Sequence, residues 1–190
     1  AGPYLRELNR KNVDLLFVDG CHLFEQALRD FANSERVSGS SSVILVHDCF
    51  PQVAEMAQRE WNRDARVVKE LRNMWCGDVW KLLYCLKQYR PDLKRAYLDC
   101  QPSGLAIFWG LDSQNSVLRS LDTSVIRQFQ DMSLTDQMLE TMITEFSFQD
   151  KEEVCNELVR YRRRESEAKP LGARWIQKIN WRQRVARGSR

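Results

Sequence analysis

Four ionisable residues stand directly behind two short apolar runs. Val13 to Val18 ends in Asp19-Gly20-Cys21-His22, and Val43 to Val46 ends in His47-Asp48. Imidazole has an ordinary pKa of roughly 6.5, so His22 and His47 are suited to take up a proton near neutrality. They are the two histidines of the chain, and both fall at these run ends beside a carboxylate. For the four to act together, their apolar runs must be neighbouring strands that finish at one rim. A run that is apolar at nearly every position reads as a strand covered on both faces, as in a parallel sheet packed between helices. Ligands and chemistry gather just beyond the carboxyl ends of such strands.

The surrounding pattern supplies the elements. After Gly20 the period changes: Leu23, Phe24, Ala27, Leu28, Phe31 and Ala32 form the stripe of an amphipathic helix. Ser38-Gly39-Ser40-Ser41-Ser42 reads as a flexible connection, and Val43 to Val46 as the second strand. The resulting strand-helix-strand unit predicts a parallel pair. Pro51 is expected to open a further helix with Val53, Met56, Ala57 and Trp61 on its inner face. Asp78 is placed to cap a helix that buries Val79, Trp80, Leu82, Leu83 and Leu86, closed by Arg90-Pro91. Ala96-Tyr97-Leu98 and Leu105 to Trp109 are strands joined by a turn at Pro102-Ser103-Gly104, and so short a turn makes them antiparallel. Beyond Asp112 the pattern is helical. Leu134, Met138, Met142 and Phe146 follow a Ser133-x-x-Asp136 cap, and Val154, Leu158 and Tyr161 follow Asp150-x-x-Glu153. A polar helical lead with Leu5 and Leu8 precedes the first strand.

At 190 residues, 43% hydrophobic, the chain can bury one good core. No apolar stretch approaches the roughly 20 residues of a membrane-spanning helix, and no signal peptide is expected at the start, so the expectation is a soluble cytoplasmic protein. Six cysteines without any C-x-x-C pair argue against a zinc or disulfide framework. Residues 160 to 190 carry 11 Lys and Arg against Glu165 and Glu167, which leaves 18 bases against 24 acids elsewhere. This basic tail could engage an anionic partner, but Trp175, Ile176, Ile179 and Trp181 could equally fold back on the body.

These residues together resemble the second half of a class I S-adenosylmethionine-dependent methyltransferase, over about residues 12 to 112. The resemblance is carried by Phe17-Val18-Asp19-Gly20-x-His22 with Asp30 eight residues on, and by Val46-His47-Asp48. It continues in Trp75-x-Gly77-Asp78-Val79-Trp80-Lys81, in Arg90-Pro91-Asp92-Leu93 and in the closing hairpin. It implies an α/β fold: a partial Rossmann-like sheet, comprising a parallel pair and an antiparallel hairpin, with helices on both faces. The strands would be the fourth to seventh of the family. Residues 1–112 would form this domain, and 113–190 a helical extension with the basic tail.

The implied function is methyl transfer from S-adenosylmethionine to a small-molecule or sugar hydroxyl. The family's glycine-rich cofactor turn has no counterpart here, since no Gly-x-Gly occurs and only about ten residues precede the first strand. The chain is thus a fragment, inactive alone, or a degenerate relative. Of the cofactor contacts, the resemblance leaves Asp19 and Gly20. By the same resemblance Asp19, His47 and Asp48 would hold a divalent cation such as Mg²⁺ or Mn²⁺, and His22 or His47 would accept the hydroxyl proton. Trp75, Asp78 and Lys81 would contact the acceptor. A structural role is the competing reading: Asp19 and Asp48 as helix caps, Trp75 and Trp80 as packing, and Lys81 in solvent. A non-catalytic remnant is the alternative function. It would associate with a copy or partner through the unpaired edge of the first strand, or bind nucleic acid, the less expected partner, through its tail.

Overall fold

The two apolar runs form parallel strands, as their patterns require. A computed structural model describes residues 13–62 and 69–168. In it β1 (Val13–Val18) is followed by α1 (Phe24–Arg36) and β2 (Ser38–His47). There follow α2 (Lys81–Tyr89), β3 (Lys94–Leu98), β4 (Leu105–Trp109), α3 (Thr123–Gln130), α4 (Asp136–Glu145) and α5 (Lys151–Ala168). The polar lead with Leu5 and Leu8, residues 63–68, and the tail bearing Trp175, Ile176, Ile179 and Trp181 lie outside the described residues.

The sheet order is β1-β2-β4-β3, with β1 and β2 parallel and β4 antiparallel to both its neighbours. Phe17 pairs with Leu45 and Val18 with Val46. One step further along this register Asp19 comes alongside His47. Because β4 runs the other way, with His47 paired to Leu105, the turn that feeds β4 also arrives at this rim. Two strand ends and one strand start thus meet at one place.

Each face of the sheet carries its own apolar layer. On one, Phe24, Ala27, Leu28 and Phe31 of α1 pack with Val18, Ile44, Val46 and Phe108, together with Leu82, Leu83 and Leu86 of α2. Burying a side chain of Phe or Leu size contributes about 1.5–3 kcal/mol, so this layer is a main source of stability. Phe129 of α3 and Met142 of α4, both beyond Asp112, belong to the same layer. On the other face Val154, Leu158 and Tyr161 of α5 cover Val43, Ile107 and Trp109. That cover leaves Leu15 and Phe17 of β1 56% and 57% exposed, so this run is not covered on both faces as its pattern predicts. α5 meets β1 at the polar pair Arg162 and Asp14.

An ionic knot, buried at Arg90 and Glu35, ties α1 to the end of α2. Arg90, at the end of α2, pairs with Glu35 of α1 and donates to Asp92 at 2.7 Å, and Glu35 also accepts from the Asp112 backbone at 3.3 Å. The Arg90 guanidinium holds the Asp92 carboxyl below its ordinary range.

Three local expectations are corrected. Ser38–Ser42 is the first half of β2 rather than a free connection. Val13 pairs with Ser38 and Leu15 with Val43, so residues 39–42 bulge from the ladder. The Ser42 hydroxyl donates to Val13 O and accepts from Gly39 N at 2.7 Å, replacing bonds that the bulge removes. The helix expected after Pro51 is a single 3₁₀ turn, Ala54–Ala57. Met56 O accepts from Cys76 N at 3.0 Å, which commits that carbonyl to a distant segment, and Trp61 is 55% exposed instead of inward. The cap of α4 is Thr135, whose hydroxyl accepts from Met138 N, rather than Ser133. Asp150 caps α5 as its spacing predicts, accepting from the amides of Glu152 and Glu153. No helix among the described residues is long and apolar enough to cross a membrane.

Candidate active site

The rim brings Asp19, His22, His47 and Asp48 together. His22 Nε2 lies 3.0 Å from Asp48 Oδ2 and 3.9 Å from Asp19 Oδ1. His47 Nδ1 lies 3.5 Å from Asp19 Oδ1 and 3.4 Å from Asp48 Oδ1. One donor atom each from Asp19, His22 and Asp48 lies within 4.8 Å of the others. A cavity of about 10 Å³, bounded by Asp19, Gly20, His22, Asp30 and His47 among others, opens beside them. That volume matches one water-sized occupant, not an organic substrate.

Local backbone sets these positions. Asp48 has a φ of 59°, the left-handed region that aspartate tolerates better than most residues, and it turns the chain out of β2. Gly20 follows Asp19 in the turn, where a Cβ would meet only Asp30 Oδ2 at 3.6 Å. Gly77 is different. It has a φ of +57°, and a Cβ there would lie 1.8 Å from His22 O, so only glycine lets this segment close on the histidine. The closure supplies two bonds: Asp78 N donates to His22 O at 3.1 Å, and Trp75 O accepts from His22 Nδ1 at 2.8 Å. With its proton on Nδ1, a neutral His22 presents the Nε2 lone pair to the carboxylates. Metal-binding histidines are commonly oriented in this way.

The residues expected to contact an acceptor separate into two groups. Trp75 stands over His22, with ring centroids 5.1 Å apart, and its indole N–H donates to Gln58 O at 2.6 Å. Asp78 and Lys81 are buried and committed to one another at 3.0 Å. Asp78 does not cap its own helix α2, which begins at Lys81 without a side-chain cap. It caps the distant α1, accepting from Phe24 N at 2.6 Å, and also receives Arg59. Lys81, expected in solvent, donates inward to Gln130 O at 2.7 Å.

Ser103 was not among the expected site residues. It is 1% exposed, donates to Asp48 Oδ1 and lies 3.4 Å from His47 Nε2. A polar residue in a turn gives no periodic signal. The indication in the sequence was the turn's position before a strand that must return antiparallel to His47.

The hydrogen bond and charge of Asp48 raise the pKa of His22 above 6.5, against the effect of its burial. Burial pushes Asp48 up, but the bonds from His22 and Ser103 outweigh it and hold the carboxyl below 3.8. The sign of the pH effect follows. The raised imidazole stabilises the cation-free fold fully below its unfolded pKa of roughly 6.5, and this is lost as pH rises through the folded value. The lowered carboxyl contributes above its unfolded value, and that is lost as pH falls through the folded one. Denaturant unfolding should therefore show stability declining above roughly pH 6.5, and His22→Gln should flatten the decline. An equally steep decline in the variant would remove the pair as its cause.

Comparison with known proteins gives one family. Residues 2–49, about a quarter of the chain, match the model of a family described as methyltransferase domain. The match spans β1, α1, β2 and both ionisable clusters, and it supports a methyltransferase family. The class I S-adenosylmethionine-dependent form is consistent with it, and the mixed α/β sheet is consistent with a Rossmann-like methyltransferase fold. No curated protein and no solved structure matched the chain.

Proposed function

We propose that this chain is the acceptor-side half of a methyltransferase domain, built for methyl transfer to a small-molecule or sugar hydroxyl with help from a divalent cation. The observation that carries the reading is the convergence of Asp19, His22 and Asp48 within the segment pair that the family match covers. Two carboxylates and an imidazole suit Mn²⁺, Fe²⁺ or Zn²⁺ better than Mg²⁺, which favours oxygen alone. The Nδ1 of His47 is buried beside the same two carboxylates and makes no hydrogen bond, which leaves it open to take up a proton next to the cation. A cation held there would act as a Lewis acid, lowering the pKa of a bound hydroxyl.

The chain's own residues would divide the work. Asp19, Asp48 and His22 hold the cation, with His22 fixed by Trp75 O. His47 takes the hydroxyl proton on Nδ1. Trp75 stands over His22 and shields it. The family suggests S-adenosylmethionine as the methyl source, but the residues present do not fit it. The sequence has no Gly-x-Gly turn, and among the described residues β1 is an edge strand with Leu15 and Phe17 exposed where a cofactor half would pack.

Calorimetry on the chain as it stands tests this division. Mn²⁺ should bind near one to one, and S-adenosylmethionine should give no heat at micromolar concentration. Tight donor binding without a cation effect would contradict the proposal.

A further inference from the structure

We propose that Ser103 is a positioning residue that orders the rim, fixing Asp48 through its proton and imposing one tautomer on His47 through its oxygen. A hydroxyl has a single proton, and an ionised carboxylate can only accept. The Ser103 proton therefore goes to Asp48 Oδ1, and the Ser103 oxygen is left with lone pairs. His47 Nε2, at 3.4 Å, meets those lone pairs, and a hydrogen bond between the two requires the imidazole proton on Nε2. His47 Nδ1 is then bare.

That nitrogen is buried and makes no hydrogen bond, although Asp19 Oδ1 and Asp48 Oδ1 lie 3.5 and 3.4 Å away. Lone pairs from an imidazole and two carboxylates so close together repel unless a proton or cation lies among them. Ser103 thus keeps the rim in the form that calls for positive charge. Its own placement is firm: Ser103 is 1% exposed, Ser103 O accepts from Phe50 N at 2.7 Å, and the next residue is Gly104 with a φ of +69°. A Cβ at Gly104 would come within 2.6 Å of the Phe50 ring, so the turn packs too closely to let the hydroxyl drift.

The role of His47 as proton acceptor rests on the function proposed above, whereas its tautomer does not. Nitrogen-correlated NMR of the imidazoles in the cation-free chain at mildly alkaline pH reads that tautomer directly. Wild-type His47 should carry its proton on Nε2. Ser103→Ala should move it partly or wholly to Nδ1, and Ser103→Thr, which keeps the hydroxyl, should restore it. In Co²⁺ titrations Ser103→Ala should bind roughly tenfold more weakly, the lower range for loss of a supporting contact, with Ser103→Thr near wild type. An Nδ1–H tautomer in the wild type, or an unchanged imidazole spectrum in Ser103→Ala, would overturn the assignment. Absence of Co²⁺ binding to the wild type would instead count against the cation, leaving the imidazole spectrum to decide on Ser103.

Discussion

Replacing Asp78 with alanine should lower the stability of the chain by about 3–5 kcal/mol, the usual consequence of removing one partner from a buried ion pair. The carboxylate is fully buried and serves three donors: Phe24 N, Arg59 and Lys81. Without it the Lys81 ammonium, with its side chain 3% exposed, keeps Gln130 O and the face of the Trp80 ring but no carboxylate among the described residues, and α1 loses its cap. Native domains are stable by only about 5–15 kcal/mol, so much of the total is at stake. Asp78→Asn should fall between, since an amide oxygen still accepts from Phe24 N but no longer balances Lys81. Denaturant unfolding measures both. A loss below about 1 kcal/mol in Asp78→Ala would show that Lys81 finds another partner or leaves the interior. Because Asp78 N binds His22 O and Gly77 lies against the same carbonyl, damage here should also reach the rim.

That network was illegible in the sequence for a physical reason. Asp78 sits three residues before Lys81, as a local helix cap would, and nothing in the spacing reports that its carboxylate turns to a helix more than fifty residues earlier. The same holds for Lys81, whose charge pointed to solvent until a buried carboxylate and a carbonyl were found to receive it. What local pattern controls was readable. The bounds of β1 and β4, the stripe of α1 and the antiparallel hairpin all appear as expected, because apolar periodicity and a short turn fix them. The parallel pairing of β1 with β2, which carries Asp19 to His47, follows from the strand-helix-strand order. Ser38–Ser42 misled because serines usually mark a connection, whereas here the hydroxyls of Ser38 and Ser42 bond to backbone groups at a bulged strand. Ser103 is intermediate: its turn was foreseen, and its hydroxyl matters only through the reversed strand that follows.

On the proposed function, removing either carboxylate of the rim should abolish most of the cation affinity it calls for. Loss of a mere supporting contact lowers metal affinity roughly 10–100-fold, so loss of a direct donor should cost about a hundredfold or more. Asp48 is the more sensitive position, since it also anchors His22 and receives Ser103. Affinity should rise with pH, because His22 must shed a proton that Asp48 helps it keep.

The most direct test of the rim as a cation site is a calorimetric Mn²⁺ titration of the wild-type chain beside Asp19→Ala and Asp48→Ala, with folding of each checked by circular dichroism. The expected result is near one-to-one binding in the wild type, tighter at higher pH, and a fall of about a hundredfold or more in both variants. Equal affinity in all three folded proteins would contradict it.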